Sequence, residues 1–131
     1  MPKQIVTSQS APTTGFTDKG TPSPLAQAIR AGNLLFVSGQ GPLDPNTREV
    51  VSPDIREQTR QTLSNLKSVL AAAGLDFRHV VNMRVVLRNT EDFAAFNETF
   101  RLVSSPVLAK GIVSSGLVPC GSKSPSWKRA V

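Results

Sequence analysis

Apolar and polar residues alternate with a period of two near the middle of the chain. Val81, Met83, Val85 and Leu87 fall on one side, and Asn82, Arg84 and Arg88 on the other, which predicts a strand covered on one face. Upstream the period changes to three and four. Ile55, Thr59, Leu63, Leu66, Leu70 and Ala73 share one face of a helical wheel, while Arg56, Arg60 and Lys67 fall elsewhere around it. Ser52 before Pro53 supplies a capping hydroxyl and a proline at the first helical position, and Gly74 stands where a left-handed residue would end a helix. One long helix is expected between these signals, lying with one face on a sheet.

Ala28 to Arg30 and Leu34 to Ser38 flank Ala31-Gly32-Asn33, where Gly and Asn can supply the positive φ of a tight hairpin. Gly39-Gln40-Gly41-Pro42 stops the second strand, and Asp44-Pro45-Asn46-Thr47 has the residues of a turn. Asn89 or Thr90 can cap a second helix, Glu91 and Asp92 suit its positive end, and Phe93, Phe96 and Phe100 form its apolar stripe. Gly111 to Ser115 reads as a further strand. Met1 to Pro24 is polar and loop-like, with a short edge strand around Ile5 and Val6. After Gly121 no period remains, and Pro125 would remove a ladder bond from any central strand. The order β-β-α-β-α-β predicts an α+β domain, two helices packed on one face of a mixed sheet. The domain is expected over residues 1–121, with a polar arm at 1–23 and a basic irregular tail at 122–131.

Composition narrows the function classes. A chain of 131 residues with 39% hydrophobic and 18% charged residues supports one folded domain and excludes wholesale disorder. Apolar runs such as Leu34 to Val37 and Val69 to Ala73 fall far short of the ~20 residues that span a bilayer. A net charge of +6 invites a nucleic-acid reading, but Lys123, Lys128 and Arg129 place half of it in the last ten residues. The six Phe are spaced as core residues and do not interleave with cations as stacking platforms do. Nucleic acid is therefore not an expected partner.

The single Cys120 cannot form an internal disulfide framework, and the first 30 residues lack a secretory apolar core. A cytoplasmic setting is expected. Cys120 has no second cysteine or histidine at metal-ligand spacing, so no metal is expected. The only histidine, His79, is read as a solvated or capping residue. Ser38-Gly39-Gln40 ends a strand; its glycine either opens backbone N–H groups to a ligand or marks a bulge or turn.

Several stretches in order resemble the RidA family of reactive-intermediate deaminases. They are Gln27-Ala28-Ile29, Ala31 through Gln40, Pro42-Leu43-Asp44-Pro45, Gln58 through Lys67, and Asp92-Phe93-Ala94-Ala95-Phe96-Asn97. The resemblance implies a chorismate-mutase-like α+β fold, a homotrimer with sites in clefts between subunits, and hydrolysis of small 2-imino or 2-enamino acids to 2-keto acids and ammonia without metal or cofactor. It carries Ser38 and Gly39 over as catalytic residues and Asn97 as a substrate-binding residue.

Elsewhere the chain departs from the family pattern. Leu25 stands where the family has a tyrosine, and Lys110 where an arginine grips the substrate carboxylate. Lys110 keeps the charge and the expected catalytic position but loses the two-pronged fork. Leu25 and Ile112 are expected to touch the substrate. The family's last strand is missing or altered, and its water-activating glutamate falls near Pro125. A catalytically impaired member that binds small acids or protein partners is the alternative expectation. Codons for Gly121 to Val131 can be chosen so that a shifted frame reads Val-Glu-Val-Ala-Ile-Leu-Glu-Ala, which resembles that strand. A one-base slip and a diverged tail therefore both explain the ending, and the transcript sequence separates them.

Overall fold

The hairpin closes through a turn that needs only one permissive residue. Gly32 has a φ of 61° while Asn33 stays in the negative range, so the expectation that both supply positive φ is corrected. Positive φ at the first central residue alone is the mark of a type II′ turn, which suits the twist of paired strands. This is a computed structural model, and it describes residues 2–12, 24–104 and the backbone of 112–117.

Strands β1 (Lys3–Val6), β2 (Ala28–Ala31) and β3 (Leu34–Val37) form an antiparallel sheet in that order. Its register sets the two faces. Val6, Ala28 and Val37 lie in one row and pack against Val69 of the first helix. Ile5, Ile29 and Phe36 form the next row, which points to the opposite face.

Helix α1 spans Ile55–Ala72. Its cap is Asp54, whose carboxylate accepts the Arg56 N–H at 3.0 Å, and this corrects the expected Ser52 cap. Ser52 Oγ instead accepts the Asp54 N–H at 3.0 Å, one step before the helix. At the other end Gly74 takes a φ of 74°. Gly74 N–H donates to Ala71 O and Leu75 N–H to Leu70 O, both at 2.9 Å. These two hydrogen bonds make a Schellman ending, and Leu75 packs on the cluster that includes Leu70. A 3₁₀ turn follows at Phe77–His79, where Asp76 accepts the Arg78 N–H and His79 Nδ1 accepts the Asp76 N–H at 3.1 Å. His79 is thus a capping residue.

Strand β4 is Asn82–Leu87, and Val81 lies before it with 72% exposure, which removes it from the expected buried row. Met83 packs into the core and Leu87 is buried. A 3₁₀ turn at Thr90–Asp92 precedes helix α2, Phe93–Ser104. Asn89 occupies the cap position of that turn without a side-chain hydrogen bond. Phe96 is buried, and its ring meets that of Phe100 at a 39° tilt with ring centres 5.4 Å apart. Phe93, the first residue of α2, stands half exposed beyond the packed turns and so leaves the expected stripe.

Strand β5 runs Ile112–Leu117, two residues later at its end than expected, and pairs parallel with β4. The mixed strand layer therefore has an antiparallel part and a parallel part, hydrogen-bonded separately. Both are covered by the helices: Leu63, Leu70 and Phe77 form a cluster that touches Leu35 and Val37 of β3, Met83 of β4 and Phe100 of α2. The tail 122–131 and most of the N-terminal arm lie outside the described residues.

Candidate active site

The end of β3 presents polar groups of a defined polarity. Ser38 N–H donates to Gln27 O at 2.9 Å, and Ser38 Oγ lies 2.6 Å from Ala26 O. A carbonyl can only accept, so the hydroxyl proton is committed to Ala26 and the oxygen lone pairs remain for other donors. Ser38 is therefore placed to accept a hydrogen bond and hold a ligand, and among the described residues no base lies within hydrogen-bond reach to make it a nucleophile. Gly39 is exposed, and a Cβ built there meets nothing within 4 Å. Its N–H has no partner among the described residues. Leu25, one residue before Ala26, is exposed at the same strand end.

Two buried amides hold this strand end in place. Gln27 Oε1 accepts the Ser8 N–H at 2.6 Å, and its Nε2 faces the carbonyls of Ser8, Ala11 and Pro12 at 3.1, 3.1 and 2.9 Å. Asn65, in the middle of α1, donates to Gly41 O at 3.0 Å and Leu43 O at 2.9 Å and accepts from Gln61 at 2.9 Å. The segment after Gly39 is thereby fixed to the helix. Neither amide was singled out from the sequence as a positioning group. The available signal was a polar residue beside apolar positions, Gln27 before the β2 strand and Asn65 between Leu63 and Leu66.

Of the other expected site residues, only Asn97 has a described side chain. Asn97 is exposed on α2, and no hydrogen bond joins it to Ser38 or Gly39. Its neighbour Glu98 is engaged by Arg56, with Nη1 to Oε2 at 2.7 Å, and so is not a free base. Ile112 opens β5 opposite Asn82. Lys110 and Pro125 lie outside the described residues. Among the described residues no group of three His, Cys, Asp or Glu side chains could hold a metal. A concavity of about 540 Å³ lies between the start of α1 and the end of β4, lined by Val50, Val51, Pro53, Ile55, Arg88 and Asp92 among others. It contains none of the expected site residues.

Charge perturbations fall on turns. The N–H groups of Thr47 and then Asn46 hold the Asp44 carboxyl below the usual carboxylate range. The Arg78 guanidinium, hydrogen-bonded to Asp76, lowers the Asp76 carboxyl, and Asp76 in return raises Arg78. These groups sit in turns and build structure around the strands.

Residues 19–116 match the protein-family model described as Endoribonuclease L-PSP. A Reactive Intermediate Deaminase A of Arabidopsis thaliana, chloroplastic, is 32% identical over 92% of this chain and 62% of its own length. The chain is a RidA-family protein. Protein DfrA of Myxococcus xanthus is 44% identical over 76% of this chain and 79% of that protein. A RutC family protein of Pyrococcus horikoshii is 49% identical over 59% of this chain, and the match spans 61% of that relative. Among solved structures, E. coli TdcF with bound serine has 30% identity and a TM-score of 0.76, covering 92% of this RidA-family chain and 89% of its own. The likeness establishes the expected α+β fold.

Proposed function

We propose that this RidA-family chain hydrolyses small 2-imino and 2-enamino acids to 2-keto acids and ammonia, slowly, in clefts between the subunits of a homotrimer. The observation that carries the proposal is the Ser38-Gly39 strand end. It lies inside the family match, is held by Gln27 and Asn65, and offers hydroxyl lone pairs and an N–H that has no partner among the described residues. The family relative TdcF binds serine, a small amino acid with the carboxylate and the nitrogen that an imino acid also carries.

The reaction needs no redox step. Water adds to the C=N carbon, a proton moves to nitrogen, and the C–N bond breaks to leave a keto acid and ammonia. Gly39 N–H and Ser38 Oγ line the reacting group, and Lys110 holds the carboxylate as a point charge. No metal or cofactor is required. Where the resemblance puts a glutamate for the water, this chain has Pro125, and Glu98 is tied to Arg56. Loss of a positioned base costs ~10²–10⁴-fold, so turnover is weak while binding persists. This is also what favours the second reading, a family member that mainly binds small acids.

The trimer rests on the open face of the antiparallel sheet. Ile5, Phe36 and Leu34 are 63%, 61% and 55% exposed there, with Ile29 between Ile5 and Phe36 in the same row. An apolar row of this kind favours burial against other copies. Among the described residues no hydrogen bond joins Asn97 to Ser38 within one chain, which fits a site completed by a second subunit. The cytoplasmic setting stays an expectation from the sequence; no helix among the described residues is long and apolar enough to cross a membrane, and relatives include mitochondrial and chloroplastic proteins. Titration with 2-oxobutanoate, followed by the Gly39 amide resonance, tests the site. A saturable shift is expected, and no shift at millimolar ligand would remove Gly39 from it.

A further inference from the structure

Residues 8–12 curl around one side chain. Gln27 Oε1 accepts the Ser8 N–H at 2.6 Å, while Nε2 lies 3.1, 3.1 and 2.9 Å from the carbonyl oxygens of Ser8, Ala11 and Pro12. An N–H facing the oxygen and three carbonyls facing the nitrogen fix the sense of the amide, with its two hydrogens shared among three acceptors. Gln27 is 3% exposed, and Ala11, 5% exposed, packs with Val6, Ala28 and Val69. The segment is docked by one amide and one methyl.

The backbone of the same residue holds the candidate site. Gln27 O accepts the Ser38 N–H at 2.9 Å, and Ala26 O accepts the Ser38 hydroxyl at 2.6 Å. Gln27 thus carries residues 8–12 on its side chain and Ser38 on its main chain. Lifting the segment away bares Ala11 and strips a buried amide of these partners together. A buried polar group without hydrogen bonds is costly, so the amide is driven toward water. Its exit pulls on the Ala26-Gln27 backbone to which Ser38 is bonded. The segment therefore docks and undocks as a unit, and Ser38 keeps its placement in the docked form.

The link runs in both directions. With its proton committed to Ala26 O, the Ser38 hydroxyl offers lone pairs to a ligand N–H, and a ligand that uses them favours the docked form. Whatever shifts this equilibrium at one end shifts it at the other by the same factor. Taking Ser38 and Gly39 as the ligand site, as proposed above, we infer that Gln27 is a positioning residue that couples ligand binding to the docking of residues 8–12. Detaching the segment lowers affinity, and a bound amino or imino acid fastens the segment.

Amide hydrogen exchange on the full chain reads the coupling. Serine is the probe, since its ammonium can donate to Ser38 Oγ and its carboxylate can accept from Gly39. At about ten times its Kd, exchange of the Ser8 amide through the undocked form should slow by about tenfold. Val80 N–H, bonded to Phe77 O in the turn before β4, should change little. In Gln27→Met, which keeps the length and loses the amide, serine should no longer slow Ser8. Ala11→Lys, which detaches the segment and leaves Gln27 in place, should weaken serine binding by about tenfold. Without ligand it should quicken Ser38 amide exchange by a similar factor.

Serine that shifts the Gly39 amide resonance but leaves Ser8 exchange unchanged overturns the coupling and spares the site. A Ser8 amide that serine still slows in Gln27→Met overturns it as well, because the segment then responds without Gln27. If serine does not bind the present chain, the reading of the site falls. Ligand-free exchange of Ser38 in Ala11→Lys then decides the positioning role: faster exchange upholds it, and unchanged exchange overturns it.

Discussion

The antiparallel and parallel parts of the strand layer are built by different means. β2 and β3 are neighbours in sequence, closed by Gly32-Asn33, and their surroundings are fixed by polar side chains, Gln27 and Asn65. β4 and β5 are separated by α2 and meet only through that crossover, and the β4 end of the pair is held by apolar burial, with Leu87 2% exposed. Local pairing needs a permissive turn and positioned amides; long-range pairing needs a core residue that survives the entropy of closing a long loop. Disturbing each part in its own terms separates the two.

The largest effect is expected in the parallel part. Leu87→Ala should lower stability by about 2–5 kcal/mol, the cost of an interior cavity, as measured by urea denaturation. Phe36→Ser, on the exposed row of the antiparallel part, should leave monomer stability nearly unchanged and reduce assembly in sedimentation. A reversed order would mean that Phe36 belongs to the core of a single chain. In the antiparallel part, Asn65→Ala leaves the carbonyls of Gly41 and Leu43 without their donor and should cost about 1–3 kcal/mol. Proteolysis should then open first between residues 39 and 50, and uniform cleavage along the chain would contradict the positioning role.

These contrasts explain how much could be read without coordinates. The hairpin and α1 were legible to within a residue or two because their signals are local: alternation around Gly32, apolar spacing from Ile55, and a left-handed Gly74. Asp54 displaced Ser52 as the cap because its carboxylate reaches the Arg56 N–H directly, and both residues are good caps by type. The end of β5 and its pairing with β4 were not legible, since a six-residue strand carries no mark of its distant partner. Of the candidate site, Ser38 and Gly39 stood out through resemblance and strand ending. The roles of Gln27 and Asn65 depend on carbonyls 15 to 24 residues away, which no spacing rule connects.

Turn chemistry gives smaller tests. Gly32→Ala should destabilise the hairpin by about 1–2 kcal/mol, the cost of a side chain at positive φ. Arg48 already bears that conformation at a φ of 61°, so Arg48→Gly should gain up to about 1 kcal/mol; a loss on this substitution would show that the Arg48 side chain makes a compensating contact. Smallest is the pH term at the turn before β4. The Asp76 carboxyl lies below its ordinary value of 3.8 in the folded chain, so the ionised group contributes stability above that pH and loses it as the pH falls through the folded value. Asp76→Asn should therefore differ most from the parent at neutral pH and converge with it in acid, followed by thermal melts. A difference that widens toward pH 2 would give the opposite sign.

The claim that joins the site to its chemistry is that a RidA-family cleft persists here with its charge anchor and water activation weakened. Its most direct measurement is the rate of loss of 2-iminopropanoate, generated in situ by an amino-acid oxidase. The present chain is to be compared with a variant carrying Leu25→Tyr, Lys110→Arg and Val-Glu-Val-Ala-Ile-Leu-Glu-Ala in place of residues 122–131. The account predicts slow turnover by the present chain and a rise of about 10²-fold or more in the variant. Equal rates in the two proteins, whether fast or absent, would contradict it.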